Sequence, residues 1–235
     1  TIVYWDFNWT IVSSTFAVNN GTLAIGSGTT TSLDLVPTDD TYLRESTPTT
    51  NNGASFTLAV NGAGGGTNFT TVMKWSNINA IPSGSTVTAV SVSLKTGGGA
   101  TTAQQYELYE VLKAWTELGA TWNTTDGSTA WGTAGASNAT DRESTVLGTM
   151  GTANEVDLVE FAMDGDMVDL VQDWVGGAAN YGVIVQNYSN TDDWNMRGRD
   201  DATRAHQPYL TVTYTPNEPT VTASAGITVG DGSGS

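Results

Sequence analysis

Apolar and polar residues alternate through most of this chain, in short runs broken by Gly, Asn and Pro. "STVTAVSVSL" is the clearest run: Val87, Ala89, Ser91 and Ser93 share one face, and Thr88, Val90, Val92 and Leu94 the other. A period of two is that of a strand, because successive side chains leave opposite faces of a sheet. The same reading predicts strands at "TYLRES", "SFTLAV", "FTTVMKWS", "AQQYELYEVLKAW", "NYGVIVQNY" and "PYLTVTYT". In the long "AQQYELYEVLKAW" run, Tyr106, Leu108 and Glu110 alternate with Glu107, Tyr109 and Val111, against its helix-friendly composition. Residues 1–36 predict two or three more strands: "TIVYWDFNWTIV", "STFAV" and "GTLAIGSG", the last two joined by a tight turn at Asn19-Asn20-Gly21.

One segment follows a different period. In "DGDMVDLVQDWVGG", Met167, Val168, Leu170, Val171, Trp174 and Val175 recur at helical spacing. Asp164 is placed to cap the start, and Gly176 and Gly177 stop the helix, which is predicted over about 164–175. Many short strands with Gly/Asn/Pro turns and a single helix predict an all-β fold, a β-sandwich of jelly-roll type with an N-terminal strand extension. The expected division is a strand block at 1–37, a main domain at 38–215, and a linker or the start of a further module at 216–235.

Composition narrows the function classes. The chain has 235 residues, with 24 acids against 8 bases and a net charge of −16. Nucleic-acid binding needs basic patches that displace counterions, so it is not expected. Charged residues make up only 14%, so Thr, Ser, Asn and Gly supply most of the polar surface, which suits strands and turns. The absence of cysteine excludes disulfides, thiolate metal sites and a Cys nucleophile. No run approaches the length of a membrane span, so membrane insertion is not expected. With Thr1 rather than Met at the start, the expectation is that an upstream segment was removed or lies outside this sequence.

An ordered set of segments carries a family resemblance. They are "DDTYLREST" followed by "NNGAS"; "VMKWSNINAIPSGSTVTAVSVSL"; "YEVLKAWTELGATWN" with "STAWGTAGA"; "VDLVQDWVGGAANYGVIVQ"; and "RAHQPYLTVTYT". Over residues 38–215 the chain resembles the DNRLRE-domain proteins and related polysaccharide-binding modules of secreted bacterial and archaeal proteins. The literal naming string is absent; Leu43-Arg44-Glu45 and Asp141-Arg142-Glu143 are its nearest pieces. The resemblance implies a non-catalytic extracellular β-sandwich, some relatives of which bind polysaccharides.

The candidate chemistry follows from aromatic, cationic and acidic positions. Sugar rings pack their CH faces on aromatic side chains while polar neighbours set orientation. Trp115, Trp122 and Trp174 sit in framework segments and read as core. Trp131 and Trp194 sit in polar stretches, and "YSNTDDWNMRGRDD" brings Tyr188, Trp194, Arg197 and Arg199 into one window. The expected ligand site is therefore Trp194, Arg197, Arg199, Tyr188 and Trp131, with Arg44 as a neighbour; the bland alternative is a solvated loop whose Trp caps the sandwich. Asp39 and Asp40 are candidate oxygen ligands for a structural Ca2+, or simply a polar strand start. His206, the single histidine, reads as a turn residue, and no serine has a nucleophile-elbow setting. The function expected is polysaccharide binding at an extracellular, cell or virion surface. The rival is a structural domain of a surface assembly, pairing with neighbouring chains through the N-terminal strand.

Overall fold

The computed structural model describes residues 17–18, 29–62, 65–98, 104–152, 158–186, 193–217 and 228–229. The chain forms two compact units. The first comprises Thr1–Gly28 and Glu218–Ser235, the second Thr29–Asn217. In the first, the described residues are β1 (Ala17–Val18) and β13 (Thr228–Val229), which pair in parallel. The run "TIVYWDFNWTIV", with its heavy aromatic face, lies outside the described residues.

The second unit is an all-β sandwich. Its strands are β2 (Thr31–Leu35), β3 (Asp39–Arg44), β4 (Thr57–Asn61), β5 (Phe69–Lys74), β6 (Thr86–Gly98) and β7 (Gln104–Glu110). They continue as β8 (Gly148–Thr152), β9 (Leu158–Ala162), β10 (Val183–Gln186), β11 (Asp193–Arg197) and β12 (Tyr209–Thr215). Hydrogen bonding runs β2-β12-β6-β11-β4-β5-β10-β7-β8, with β3 added on β5 and β9 on β6. Strands β2, β12, β6 and β9 make one layer, β3, β5, β10, β7 and β8 the other, and β4 and β11 carry the ladder between them. Each of these pairings is antiparallel.

Strand parity explains the core. Leu35, Val90, Val92, Leu210 and Val212 from one layer meet Met73, Tyr106, Leu108, Val183 and Val185 from the other. The intervening residues of the second layer, Leu43, Val72, Tyr109 and Ile184, face outward and are nevertheless buried. The connection from β7 to β8 covers them, contributing Val111, Trp115, Trp122 and Trp131 to a second apolar cluster. Trp115 Nε1 donates to Tyr181 O at 2.8 Å, which ties this cover to the sheet. A sheet buried on both faces reads as a continuous apolar run, as "GVIV" does.

The helix α1 (Gly165–Val175) forms where the helical period predicts it. Met167, Val171, Trp174 and Val175 are buried in the main core. Gln172 fastens the helix to the start of β6, accepting from Val87 N at 2.8 Å and donating to Ser85 O at 3.1 Å. Val87 itself departs from simple alternation. The β6–β12 register shifts between Thr213 and Tyr214, so Thr88 and Ala89 are both exposed and Val87 turns inward beside Val90. An inserted residue of this kind reverses the facing of everything beyond it. Among the described residues, no helix is long and apolar enough to cross a membrane.

Candidate functional site

The strands β4 and β11 pair from Asn61–Asp193 to Thr57–Arg197. Where β4 begins and β11 ends, two loops meet. Gly198 N donates to Phe56 O at 2.9 Å, joining the turn before β4 to the loop after β11. A Cβ on Gly198 would stand only 3.2 Å from Asp40 Oδ2 and 3.3 Å from Ser55 O, so this close approach favours a residue without a side chain.

A cleft of ≈ 380 Å³ opens here, lined by Phe56, Arg197, Asp200, Asp201, Thr203 and His206, with Ala202. Phe56 is 53% exposed, unusual for a large apolar side chain. The Arg197 guanidinium lies 5.3 Å from its ring centroid, a cation–π contact that positions both groups. Asp201, buried behind them, is the hub of the wall. Its carboxylate accepts from Thr203 N at 2.8 Å, ion-pairs with Arg197 Nε at 3.6 Å and lies 3.3 Å from His206 Nδ1. Its carbonyl accepts from Gln207 Nε2 at 3.0 Å. The wall is thus held by two hydrogen bonds and by the ion pair with Arg197, none of which needs a ligand, while Phe56 keeps a free surface.

An acidic cluster adjoins the cleft through Asp200. Asp40, 1% exposed, is on β3. Its backbone N–H donates to Glu117 Oε1 at 3.0 Å, and its Oδ2 accepts from Arg199 N at 2.8 Å. Arg199 Nη1 donates to both oxygens of Glu117 at 2.7 Å and stands 3.9 Å from Asp200 Oδ1. Asp40, Glu117 and Asp200 each bring a carboxylate oxygen within 4.8 Å of the others. Burial pushes the Asp40 carboxyl up from 3.8 to about 7, with Glu117 and Asp200 adding to the rise; the Arg199 backbone N–H and guanidinium oppose it.

The structure distributes the residues expected from sequence over several places. Trp194 is not a loop platform: it lies on β11, 1% exposed, stacked on Tyr106 at 5.6 Å and donating to Thr96 Oγ1 at 3.0 Å. Trp131 is also interior, 4% exposed, donating to Thr121 O at 2.9 Å within the cover of the second sheet. Neither can meet a ligand without unfolding its surroundings. Arg197 lines the cleft, whereas Arg199 is committed to Glu117. Arg44, exposed at the far end of β3, sits 5.2 Å over the Phe69 ring and donates to Ser46 Oγ at 2.8 Å, away from the cleft lining. Tyr188 lies outside the described residues. Asp39 and Asp40 do not converge. As adjacent strand residues they point oppositely, and Asp39 pairs with Lys74 Nζ at 3.2 Å and with Thr38 Oγ1 at 2.7 Å.

The sequence reading missed Phe56 and Glu117. Phe56 shares parity with the buried Leu58 and Val60, so alternation points it inward; it is free because β4 starts one residue later. Glu117 is 77 residues from Asp40, and no local pattern joins them.

Comparison with known families decides the class. The model of carbohydrate-binding module family 96 matches residues 31–214, more than half of the chain. The chain belongs to carbohydrate-binding module family 96. The match spans β2 to β12, so the whole sandwich, its α1 helix and the cleft lie within the family 96 region. It bears out the polysaccharide-binding side of the resemblance seen in the sequence. No curated protein matches this family 96 chain.

Proposed function

We propose that this carbohydrate-binding module is extracellular and non-catalytic, and that it holds a neutral polysaccharide in the cleft at the β4–β11 end. The observation that carries this reading is Phe56: a half-exposed aromatic ring beside a guanidinium, an imidazole and carboxylates, in a concavity. The ring offers an apolar face to the CH side of a pyranose, and Asp200, Thr203 and His206 offer donors and acceptors to its hydroxyls. Preference for an uncharged chain follows from charge. Two carboxylates line the cleft, Arg197 is already paired with one of them, and the net charge of −16 repels polyanions at low salt. Asp201 acts as a brace here, since its oxygens are engaged by Arg197, Thr203 and His206.

Affinity electrophoresis through gels containing neutral and acidic polysaccharides tests the reading. The wild-type chain is expected to be retarded by at least one neutral polymer, and Phe56→Ala to lose about tenfold in affinity, the equivalent of about 1.4 kcal/mol. Arg197→Ala weakens binding by removing the group that positions the ring. Unchanged retardation in folded Phe56→Ala, or retardation only by polyuronates, would overturn the proposed site or its ligand class. Release of reducing ends from the bound polymer would overturn the non-catalytic assignment.

A further inference from the structure

We propose that Asp40, Glu117 and Asp200 form a calcium site that ties three separate chain segments together beside the cleft. The ligands come from β3, from the cover of the second sheet, and from the loop after β11. Three carboxylates that approach within 4.8 Å of one another repel, and the fold nevertheless gathers them.

Arg199 balances only part of this charge. Its Nη1 is spent on the two oxygens of Glu117 and stays 3.9 Å from Asp200. When all three carboxyls are ionised, one guanidinium leaves two negative charges, which a divalent cation neutralises. The second observation is Asp40 itself. It is 1% exposed, its Oδ2 accepts from Arg199 N, and its Oδ1 is buried with no hydrogen-bond partner. A buried carboxylate oxygen left without a donor is costly, and a cation satisfies it without adding a hydrogen bond.

The donor set selects the ion. Every ligand is a hard oxygen, and the three carboxylates come from irregularly placed segments, which suits the adaptable coordination of Ca2+ better than the strict octahedron of Mg2+. Asp200 is exposed, so water can complete the coordination on the outer side. Asp200 also lines the cleft, and the ion would therefore fix one of its walls. The inference does not depend on the polysaccharide reading, because calcium can be measured alone.

Calorimetric titration of CaCl2 into the chelator-stripped full chain, without glycan, tests it. One saturable site is expected, with a higher melting temperature in Ca2+ than in chelator. Asp200→Asn, at an exposed position that leaves the core untouched, should weaken Ca2+ about tenfold or more, and Asp40→Asn likewise; Asp39→Asn should bind as wild type does. Absence of binding at millimolar Ca2+ in the folded wild-type chain would overturn the site. Equal affinity in wild type and Asp200→Asn would also overturn it, because the ion would then be held elsewhere on the acidic surface.

Discussion

Asp40 shows what burial does to a single carboxyl. With chelator present, its folded-state value of about 7 lies above the 3.8 of a free side chain. Between those values the native chain keeps a proton that the unfolded chain has lost. The contribution of Asp40 to stability therefore declines as pH rises from about 4 to about 7, by at most about 1.4 kcal/mol per unit, and is flat above. Urea unfolding midpoints measured across this range should show the decline in wild type and its loss in Asp40→Asn. Trp194 makes the opposite kind of residue-scale case. Trp194→Ala should cost ~3–5 kcal/mol of stability, read from the same midpoints, because it removes a filled core position and orphans Thr96. Its burial was legible in principle, since Trp194 and Met196 alternate with Asp193, Asn195 and Arg197. The abundance of charge around it hid a strand of only five residues.

At the scale of elements, the helix and most strands could be read because each repeats its period several times. The α1 residues Met167, Val171, Trp174 and Val175 span its whole length, and β12 alternates without interruption. What escaped were the departures from period. The irregularity in β6 turns Val87 inward, and nothing in "STVTAV" marks where the extra residue falls. Gly182, ahead of β10, is a second such point. It holds φ +80°, and a Cβ there would stand 1.9 Å from Met73 O. Gly182→Ala should destabilise by ~2–4 kcal/mol, measured by urea denaturation, since both the backbone angle and the approach to β5 are lost. The free edge of β3 is guarded in a way that local pattern could not foretell. Asn52 Nδ2 donates to Tyr42 O at 3.0 Å and Glu117 accepts from Asp40 N, so distant side chains occupy the ladder positions of a missing strand.

For the molecule as a whole, fold class was visible and the site was only half so. Arg197 was found because it lies in a window dense with charge that also holds Asp200 and Asp201, while Phe56 meets Arg197 and Glu117 meets Arg199 only once β4, β11 and the cover of the second sheet are in place. The cover has a further effect: it seals Val72, Tyr109 and Ile184 beneath it, so the sheet face that they occupy is closed to a ligand. The cleft is small as well. At ≈ 380 Å³ it has room for roughly one or two sugar rings under the proposed reading, near the lower end of ligand-site sizes. On that reading so slight a grip would release quickly, and firm attachment to a polymer would become a matter of number: copies displayed together on one scaffold would raise each other's effective concentration and hold by avidity where a single copy would let go.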